Sequence, residues 1–343
     1  MGVPARRDPD IPLIMTEDLP GKIFTVSRPE DFQTSALAIF RYQAENNPVY
    51  SAYIDALGKT GIKPAGITEI PFLPAEFFRN HKIITEDLPA GLVFESSGTA
   101  GMMPARHFVH SAALYEQSFS ECFKLFYGDP SEYVIAALLP SYTQRGNSSL
   151  VYMMNSLIGR SSREGSGFYD GRLPELVRNL AEAKRRQEKI ILTGVSFALL
   201  DLAENYSPDL SGIIVMETGG MKGRRKEITR GELHEILKSR LNVEVIHSEY
   251  GMTELLSQAW SDGNGLFRCP PWMKIVIRDP QDPLGIIENP GRTGGINVID
   301  LANLYSCSFI ATGDFGRLNE DGTFEVLGRF DNSDIRGCNL LFG

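Results

Sequence analysis

Cysteine is scarce in this chain of 343 residues, and its four copies show no paired spacing. They stand at Cys122, Cys269, Cys307 and Cys338, with no C-x-x-C pair among them. Disulfide frameworks and zinc sites are built on regularly spaced cysteines. The scarcity therefore argues against both and predicts a protein of the reducing cytoplasm.

The sequence also lacks an excess of basic residues and any long apolar run. Its formal net charge is −9, whereas binding to nucleic acid or to an anionic membrane surface needs a basic face. Apolar runs such as VIAALLP are far shorter than the roughly 20 residues that span a bilayer. The first residues, MGVPARRDPDIPLIM, carry charges and prolines where a secretory signal has an apolar segment. These absences predict a soluble, cytoplasmic protein with no nucleic-acid partner and no membrane span.

Two further signatures are missing. No Gly-x-Ser-x-Gly elbow occurs, so hydrolase chemistry has no support in the sequence. The histidines at 107, 110, 234 and 247 do not share a metal-binding spacing. We expect most of them to be structural or exposed.

What the sequence does contain begins with helical patterns over residues 1–90. Ser27 and Glu30 have the spacing of a capping box, with Pro29 in the first turn. Apolar residues then recur at helical spacing up to Pro48. A second short helix is predicted over 48–58, ending at Gly58, which suits a left-handed cap.

From about residue 91 the pattern changes to short β runs that alternate with helices. Strands are predicted over 133–140, 189–194, 211–217 and 243–249, and helices over 173–188, 195–205 and 226–241. This alternation predicts an α/β fold with a doubly wound sheet. The last eighty residues have short strands and Gly/Pro turns, which predict a small antiparallel or barrel-like subdomain.

A loop over residues 94–106, FESSGTAGMMPAR, combines glycines with hydroxyl side chains. Glycines let several backbone N–H groups converge, and Ser96, Ser97 and Thr99 add hydroxyl donors, an arrangement that suits polyphosphate oxygens. No Gly-Lys-Ser/Thr follows, so the loop is not a Walker A motif. A flexible surface turn is the alternative.

The segment EYGMTEL, residues 249–255, follows a predicted strand and is expected to open a helix. Polar groups at the carboxyl end of a strand lie where α/β sheets bind ligands. Thr253 could donate to a phosphate, and Glu254 could hold Mg²⁺ beside it. The alternative is a plain helix N-terminus, where both residue types are favoured.

Two other strand ends carry candidate ligand groups. Asp314 is predicted in a glycine-flanked turn after a strand, where its carboxylate could accept both hydroxyls of a ribose. Gly219 and Gly220 end a strand and could let a flat base lie against the backbone. A tight turn is the alternative for the two glycines.

Taken in order, four motifs carry a family resemblance. They are S-S-G-T-A-G (96–101), Y-G-M-T-E (250–254), T-G-D (312–314) and G-R-F-D (328–331). Their order and spacing resemble the adenylate-forming superfamily of acyl-CoA ligases, adenylation domains and luciferases. IPFLPAEFF, LPSYTQRGNSSLVYM, FRCPPWMKIVIRD and IRGCNL are more narrowly similar to the acyl-protein synthetases of bacterial bioluminescence fatty-acid reductases. The resemblance runs from about residue 20 to the end.

The resemblance implies ATP and Mg²⁺ as cofactors and a role for each motif. The β- and γ-phosphates of ATP would be bound by the loop residues Ser96, Ser97, Gly98, Thr99 and Gly101. Tyr250 and Gly251 would flank the adenine and the acyl carboxylate, Thr253 would contact the α-phosphate, and Glu254 would ligate Mg²⁺. Asp314 would bind the ribose, with Arg329 nearby.

The sequence departs from the superfamily pattern at two places. The phosphate loop has Arg106 where a lysine is usual, and whether the arginine replaces that lysine stays open. The mobile C-terminal domain with its lysine is expected to be missing. We expect a helical region over 1–90, an adenylate-forming core over 91–327, and a hinge with a truncated tail over 328–343.

In acyl-protein synthetases the acyl group passes to a cysteine near the C-terminus, and Cys338 has that place here. The resemblance thus implies that a carboxylic acid, expected to be a fatty acid, becomes an acyl-adenylate and then a thioester on Cys338. A reductase-like or acyltransferase partner could receive the acyl group. Two alternatives stay open: an acyl-CoA or acyl-carrier ligase with a structural Cys338, and an inactive nucleotide- or acyl-binding subunit.

Overall fold

The computed structural model describes residues 19–97, 103–139, 146–219 and 228–330. The helices in these ranges are α1 (Leu19–Ile23), α2 (Pro29–Asn46), α3 (Pro48–Ala56), α4 (Phe77–Asn80), α5 (Ala112–Tyr127), α6 (Ser149–Ser161), α7 (Leu173–Arg185), α8 (Ser196–Asn205) and α9 (Arg230–Leu241). The strands are β1 (Leu73–Pro74), β2 (Leu92–Glu95), β3 (Arg106–Val109), β4 (Tyr133–Leu138), β5 (Gly167–Phe168), β6 (Lys189–Val195), β7 (Ile214–Thr218), β8 (Ile246–Tyr250), β9 (Ala259–Ser261), β10 (Met273–Arg278), β11 (Ile286–Ile287), β12 (Thr293–Asp300), β13 (Phe309–Leu318) and β14 (Phe324–Arg329).

The start of α2 differs from the prediction. Arg28, not Ser27, is the N-cap residue, and its side chain makes no capping hydrogen bond. Pro29 occupies the first turn as predicted, because its fixed φ and missing N–H suit that position. The prediction of a capping box at Ser27 and Glu30 was therefore wrong, although the predicted helix is present.

The first of two six-stranded sheets has the strand order β5-β4-β6-β7-β8-β9, and we call it the mainly parallel sheet. All its neighbouring strands pair in parallel except β8 and β9, which are antiparallel. Successive side chains of a strand point to opposite faces. Along β4, Val134 and Ala136 pack in one buried cluster with leucines of α7, α8 and α9, whereas Ile135 and Ala137 pack in a second cluster with residues of α5 and α6. Helices cover both faces, so the predicted doubly wound α/β sheet is confirmed.

The second six-stranded sheet, which we call the mainly antiparallel sheet, is built mostly by the last part of the described chain. Its order is β1-β13-β12-β10-β11, with β14 also paired to β13. Its pairs are antiparallel apart from the short parallel pair of β1 and β13. The predicted β-rich region is confirmed. A separate two-stranded antiparallel sheet joins β2 and β3.

Helix α2 is hydrogen-bonded to residues 303–308, a segment far along the chain. Gln43 is buried, and its amide nitrogen donates to the carbonyl oxygens of Asn303 at 3.0 Å and Leu304 at 2.9 Å. Its amide oxygen accepts from the backbone N–H of Ser308 at 2.9 Å. The described N-terminal helices thus share a core with the β-rich region. The domain boundaries at 90/91 and 327/328 stay predictions.

Two sequence expectations concern membrane-spanning helices and cysteine chemistry. In the described part of the chain, no helix combines the length and the apolar character needed to cross a bilayer. Cys122, Cys269 and Cys307 are all free thiols. Cys338 lies outside the described residues.

Candidate functional site

The parallel strands of the mainly parallel sheet end at one edge, where several of the predicted site residues lie. Gly219 directly follows β7 with φ +65°, a conformation that favours glycine. The Ser196 hydroxyl, at the end of β6, donates to the Gly219 carbonyl at 2.6 Å. Gly251 directly follows β8. Ligands bind in this position in open α/β sheets. Gly220 lies outside the described residues.

The hydroxyl-rich loop opens from the β2–β3 hairpin. The Ser96 N–H donates to the Ala105 carbonyl at 3.0 Å, and the Ala105 N–H donates to Ser96 Oγ at 2.9 Å. These two bonds close the base of the loop, and Arg106 begins the returning strand. Ser97 follows Ser96 in the loop. Gly98, Thr99 and Gly101 lie outside the described residues.

The prediction of a helix directly after β8 was wrong. Thr253 and Glu254 form a turn, with the Leu255 N–H donating to the Met252 carbonyl at 3.1 Å. The chain then returns as β9, antiparallel to β8. We call residues 251–257 the 251–257 turn.

A buried carboxylate explains why no helix forms there. Asp300 Oδ2 accepts the N–H groups of Leu256 at 2.9 Å and Ser257 at 2.8 Å. Asp300 Oδ1 accepts the Ser257 hydroxyl at 2.6 Å. The backbone donors that a helix would use are thereby held by a side chain from the end of β12.

Two more buried side chains hold the carbonyl groups of the same turn. His107 Nδ1 lies 2.9 Å from the Thr253 carbonyl oxygen, and Asn303 Nδ2 donates to the Glu254 carbonyl at 2.8 Å. Burial lowers the pKa of His107 to about 4, against the effect of its bond to Thr253. Sequence reasoning had grouped His107 with the unassigned histidines, because spacing alone does not reveal a contact across 146 residues.

The Glu254 carboxyl is only 8% exposed. Burial raises its pKa to about 7, while its own backbone N–H and the charges of Arg329 and Arg79 act in the opposite direction. Among the described residues no cation forms an ion pair with it. A carboxylate in such a place is stabilised by a proton or by a bound cation.

Gly251 leaves space for the carboxylate that precedes it by two residues. A Cβ at position 251 would lie 2.3 Å from Glu249 Oε1 and 3.5 Å from Gln258 Cγ. The Glu249 carboxylate is itself fixed by the Thr218 hydroxyl at 2.5 Å. Any larger side chain at position 251 would therefore displace this arrangement.

Asp314 lies within β13 and not in a turn after it, so that part of the prediction was wrong. It pairs directly with Arg329 of β14, and Arg329 Nε lies 3.4 Å from Asp314 Oδ1. The Tyr250 hydroxyl donates to Asp314 Oδ2 at 2.8 Å. Burial raises the pKa of Asp314, against the charge of Arg329 and the hydrogen bond from Tyr250. Residues predicted from three separate motifs thus meet here.

Arg278 supports this cluster and was missed by sequence reasoning. Its guanidinium donates to the Thr312 carbonyl at 2.6 Å and to the Ile296 carbonyl at 2.9 Å. It also lies 5.3 Å from the centre of the Phe330 ring, within cation–π distance. Arg278 therefore holds the strand just before Asp314 and packs against the residue that follows Arg329.

Sequence reasoning also missed an ion pair on a buried carboxylate. Arg230 Nε lies 3.1 Å from Glu217 Oε1, and the Arg230 guanidinium donates to the Val326 carbonyl of β14 at 3.2 Å. His234 Nε2 lies 3.6 Å from the same Glu217 oxygen. Burial by itself would raise the pKa of Glu217, but the hydrogen bond from His234 and the charge of Arg230 outweigh it, and the pKa is lowered. This cluster connects the mainly parallel sheet to β14, which carries Arg329.

The described residues contain no group of three or more histidine, cysteine or acidic side chains that could hold a metal ion. Glu254 is therefore a single-carboxylate candidate. Mg²⁺ is commonly held by one or two carboxylates together with substrate phosphates, so this donor set fits a magnesium ion that arrives with a nucleotide.

No protein-family model and no curated protein matches the sequence. Solved structures do match. ATP-bound MatB from Rhodopseudomonas palustris matches with a TM-score of 0.52 and 19% identity, over 69% of this chain and 47% of that chain. The chain thus spans about half the length of that protein.

A 2-hydroxyisobutyryl-CoA ligase also matches in two states. Its open conformation, in complex with 2-HIB-AMP and CoA, gives a TM-score of 0.62 at 12% identity over 90% of this chain and 72% of that chain. Its postadenylation state matches with a TM-score of 0.62 and 12% identity, over 97% of this chain and 75% of that chain. The chain has the α/β fold of the large domain of adenylate-forming enzymes. The narrower resemblance to acyl-protein synthetases gains no support from these matches.

Proposed function

We propose that this protein activates a carboxylic acid with ATP, forming an acyl-adenylate. The main support is the meeting of Tyr250, Asp314 and Arg329 beside a buried Glu254 carboxylate, on the fold of adenylate-forming enzymes. These side chains come from motifs far apart in sequence. Their clustering is expected if the motifs form one nucleotide site.

The proposed reaction is a displacement at phosphorus. A carboxylate oxygen of the acid attacks the α-phosphorus of ATP, the bond to the bridging oxygen of the β-phosphate breaks, and pyrophosphate leaves. The protein contributes positioning and charge stabilisation. We assign the β- and γ-phosphates to the loop of Ser96 and Ser97, and the α-phosphate to Thr253.

The remaining parts of the nucleotide are assigned to the strand ends. The Asp314 carboxylate would accept the ribose hydroxyls, and the charge of Arg329, 3.4 Å away, favours its ionised form. Gly219 would leave room for the base. Gly251, which has no Cβ, would let the adenylate lie close to the backbone beside Tyr250.

Glu254 is the residue we assign to Mg²⁺. Glu254 is buried, its pKa is raised, and no cation among the described residues forms an ion pair with it. These properties fit a carboxylate that binds a metal cation. Mg²⁺ would neutralise charge on the phosphate oxygens. The 251–257 turn keeps the carboxylate in place through its main-chain bonds to Asp300 and Asn303.

For the acyl acceptor we propose Cys338, which would make the protein an acyl-protein synthetase. The thiolate is the nucleophile in thioester formation. Burial raises the pKa of Cys122 and of Cys307 to about 12 and raises that of Cys269 further. None of these three can supply a thiolate readily. The Cys338 sulfur would attack the acyl carbonyl and AMP would leave.

The identity of the acid and the cellular setting are also proposals. The acyl-protein synthetase resemblance favours a fatty acid, and a reductase-like or acyltransferase protein would then take the acyl group from Cys338. Three free thiols and a net charge of −9 are consistent with a cytoplasmic protein.

Isotope exchange between pyrophosphate and ATP tests the proposal. Fatty and aromatic acids are supplied one at a time with Mg²⁺, with and without CoA. Exchange that needs an acid but no CoA is the expected result. A complete lack of exchange with every acid would refute it and leave an inactive nucleotide- or acyl-binding subunit.

The acceptor is tested separately by mass spectrometry after incubation with ATP, Mg²⁺ and the active acid. The expected product is a hydroxylamine-labile acyl adduct on Cys338, missing in Cys338→Ser. CoA is the second candidate acceptor, because the matching 2-hydroxyisobutyryl-CoA ligase structure contains it. An acyl-CoA product formed at full rate by Cys338→Ser would favour that alternative.

A further inference from the structure

A small cavity lies next to the 251–257 turn. Its volume is about 10 Å³, and the residues that line it include His107, Leu256, Asn303 and Ser306. That volume is about the least that holds one water molecule. The cavity is too small for any organic ligand.

Three buried polar atoms of the residues that line it have no hydrogen-bond partner among the described residues: His107 Nε2, Asn303 Oδ1 and Ser306 Oγ. Buried polar atoms in native proteins are nearly always satisfied, by protein groups or by water. Three such atoms around one cavity therefore need a common explanation.

The other contacts of these side chains decide what each free atom can do. His107 Nδ1 faces a carbonyl oxygen, which only accepts, so Nδ1 carries the proton and Nε2 is an acceptor. Asn303 Nδ2 donates to the carbonyls of Glu254 at 2.8 Å and Cys307 at 3.1 Å, so Asn303 Oδ1 is also an acceptor. The Ser306 hydroxyl can donate. Two acceptors and one donor match one water molecule, which gives two hydrogens and accepts one.

We infer that one buried water molecule binds to His107 Nε2, Asn303 Oδ1 and Ser306 Oγ, and that His107 and Asn303 are positioning residues for Glu254. Both side chains hold main-chain carbonyls of the 251–257 turn, at Thr253 and Glu254. The water fixes the far ends of the two side chains. Because the inference concerns the orientation of Glu254, its catalytic part rests on the proposed function.

Two variants of His107 separate positioning from simple packing. His107→Phe keeps a ring against Phe78, which lies edge-to-face at 5.5 Å, but removes both nitrogens. His107→Asn is the matched control, since its amide can still donate to the Thr253 carbonyl. Ser306→Ala leaves both carbonyl bonds intact and removes only a ligand of the water.

Hydrogen exchange of the backbone amides in residues 252–257 gives a measurement that needs no activity. The loss of one buried donor predicts exchange about tenfold faster or more in His107→Phe. His107→Asn should stay close to the wild type, and Ser306→Ala should fall between the two. Equal protection in His107→Phe and the wild type would overturn the positioning role.

Two more readouts complete the test. In the exchange assay, His107→Phe should raise the Mg²⁺ concentration for half-maximal rate by about tenfold, with the KM for ATP nearly unchanged. A high-resolution crystal structure of the whole protein should show one water in the cavity, and a well-ordered cavity without density would overturn the water site. If the wild type activates no acid, the proposed function fails, while amide exchange and crystal density still decide this inference.

Discussion

Replacing Arg230 by methionine should destabilise the fold strongly, because it leaves the buried Glu217 carboxylate without its cation. The Glu217 side chain is 5% exposed and that of Arg230 is 30% exposed. Breaking a buried ion pair from one side costs about 3–5 kcal/mol. Because His234 Nε2 stays 3.6 Å from the same oxygen, we expect a loss at the low end of that range, about 3 kcal/mol. The Arg230 guanidinium also lies 4.9 Å from the centre of the Phe267 ring, and methionine keeps much of that packing.

A double-mutant cycle tests this reasoning by urea unfolding at pH 7.5. Its members are the wild type, Arg230→Met, Glu217→Gln and the double variant. The double variant should be more stable than Arg230→Met by about 1.5 kcal/mol or more, because it leaves no unpaired charge. A loss below about 1 kcal/mol in Arg230→Met, or strictly additive effects, would refute the assignment of a buried pair.

The same pair predicts the direction of a pH effect. The pKa of Glu217 is lowered in the folded protein, so its contribution is present above the ordinary value of 4.5 and is lost as the pH falls through the folded pKa. Once Glu217 is protonated, Arg230→Met leaves no buried charge. The cost of Arg230→Met should therefore shrink below about pH 4.5.

Three further predictions concern the candidate site and the histidine beneath it. Asp314→Ala should weaken ATP binding by roughly 1.5–3 kcal/mol, as measured by calorimetry, and unchanged affinity in the folded variant would remove the ribose assignment. Glu254→Gln should depress Mg²⁺-dependent pyrophosphate exchange and leave the unfolding midpoint nearly unchanged; normal exchange would make Glu254 only a turn residue. The pKa of His107 is lowered from 6.5 to about 4, so between these two pH values the unfolded chain binds more protons than the folded protein. The folded state should therefore lose stability as the pH is lowered below about 6.5. Between pH 7.5 and pH 5 the wild type should lose about 2 kcal/mol that His107→Phe does not lose, and parallel pH curves for the two proteins would contradict the low pKa.

Local periodicity in the sequence predicted the elements of the mainly parallel sheet well. The apolar runs of β4 and β6 were located within two residues, because such runs are buried on both faces and stand out from their surroundings. Helices α7 and α8 followed from apolar residues at helical spacing. These signals are contained in windows of ten to fifteen residues.

The errors arose where a distant residue decides the local structure. Thr253 and Glu254 favour a helix start, but Asp300 binds the next backbone N–H groups from 43 residues away. Asp314 reads locally as a turn residue, yet its place in β13 depends on pairing with Arg329. His107 carried no local signal at all. Strand register and buried hydrogen bonds are set by tertiary contacts, which a single sequence does not display.

The bonds between Gln43 and residues 303–308 have a consequence for synthesis of the protein. The donor and its first acceptor are 260 residues apart. At about 5–20 residues per second, the ribosome needs roughly 13–50 seconds to cover that distance. During this interval the apolar face of α2, with Phe32, Ile39 and Phe40, has no complete core to pack against. The nascent chain therefore exposes the apolar face of α2 until residues 303–308 leave the ribosome, and chaperones that bind unfolded chains can contact it during this interval.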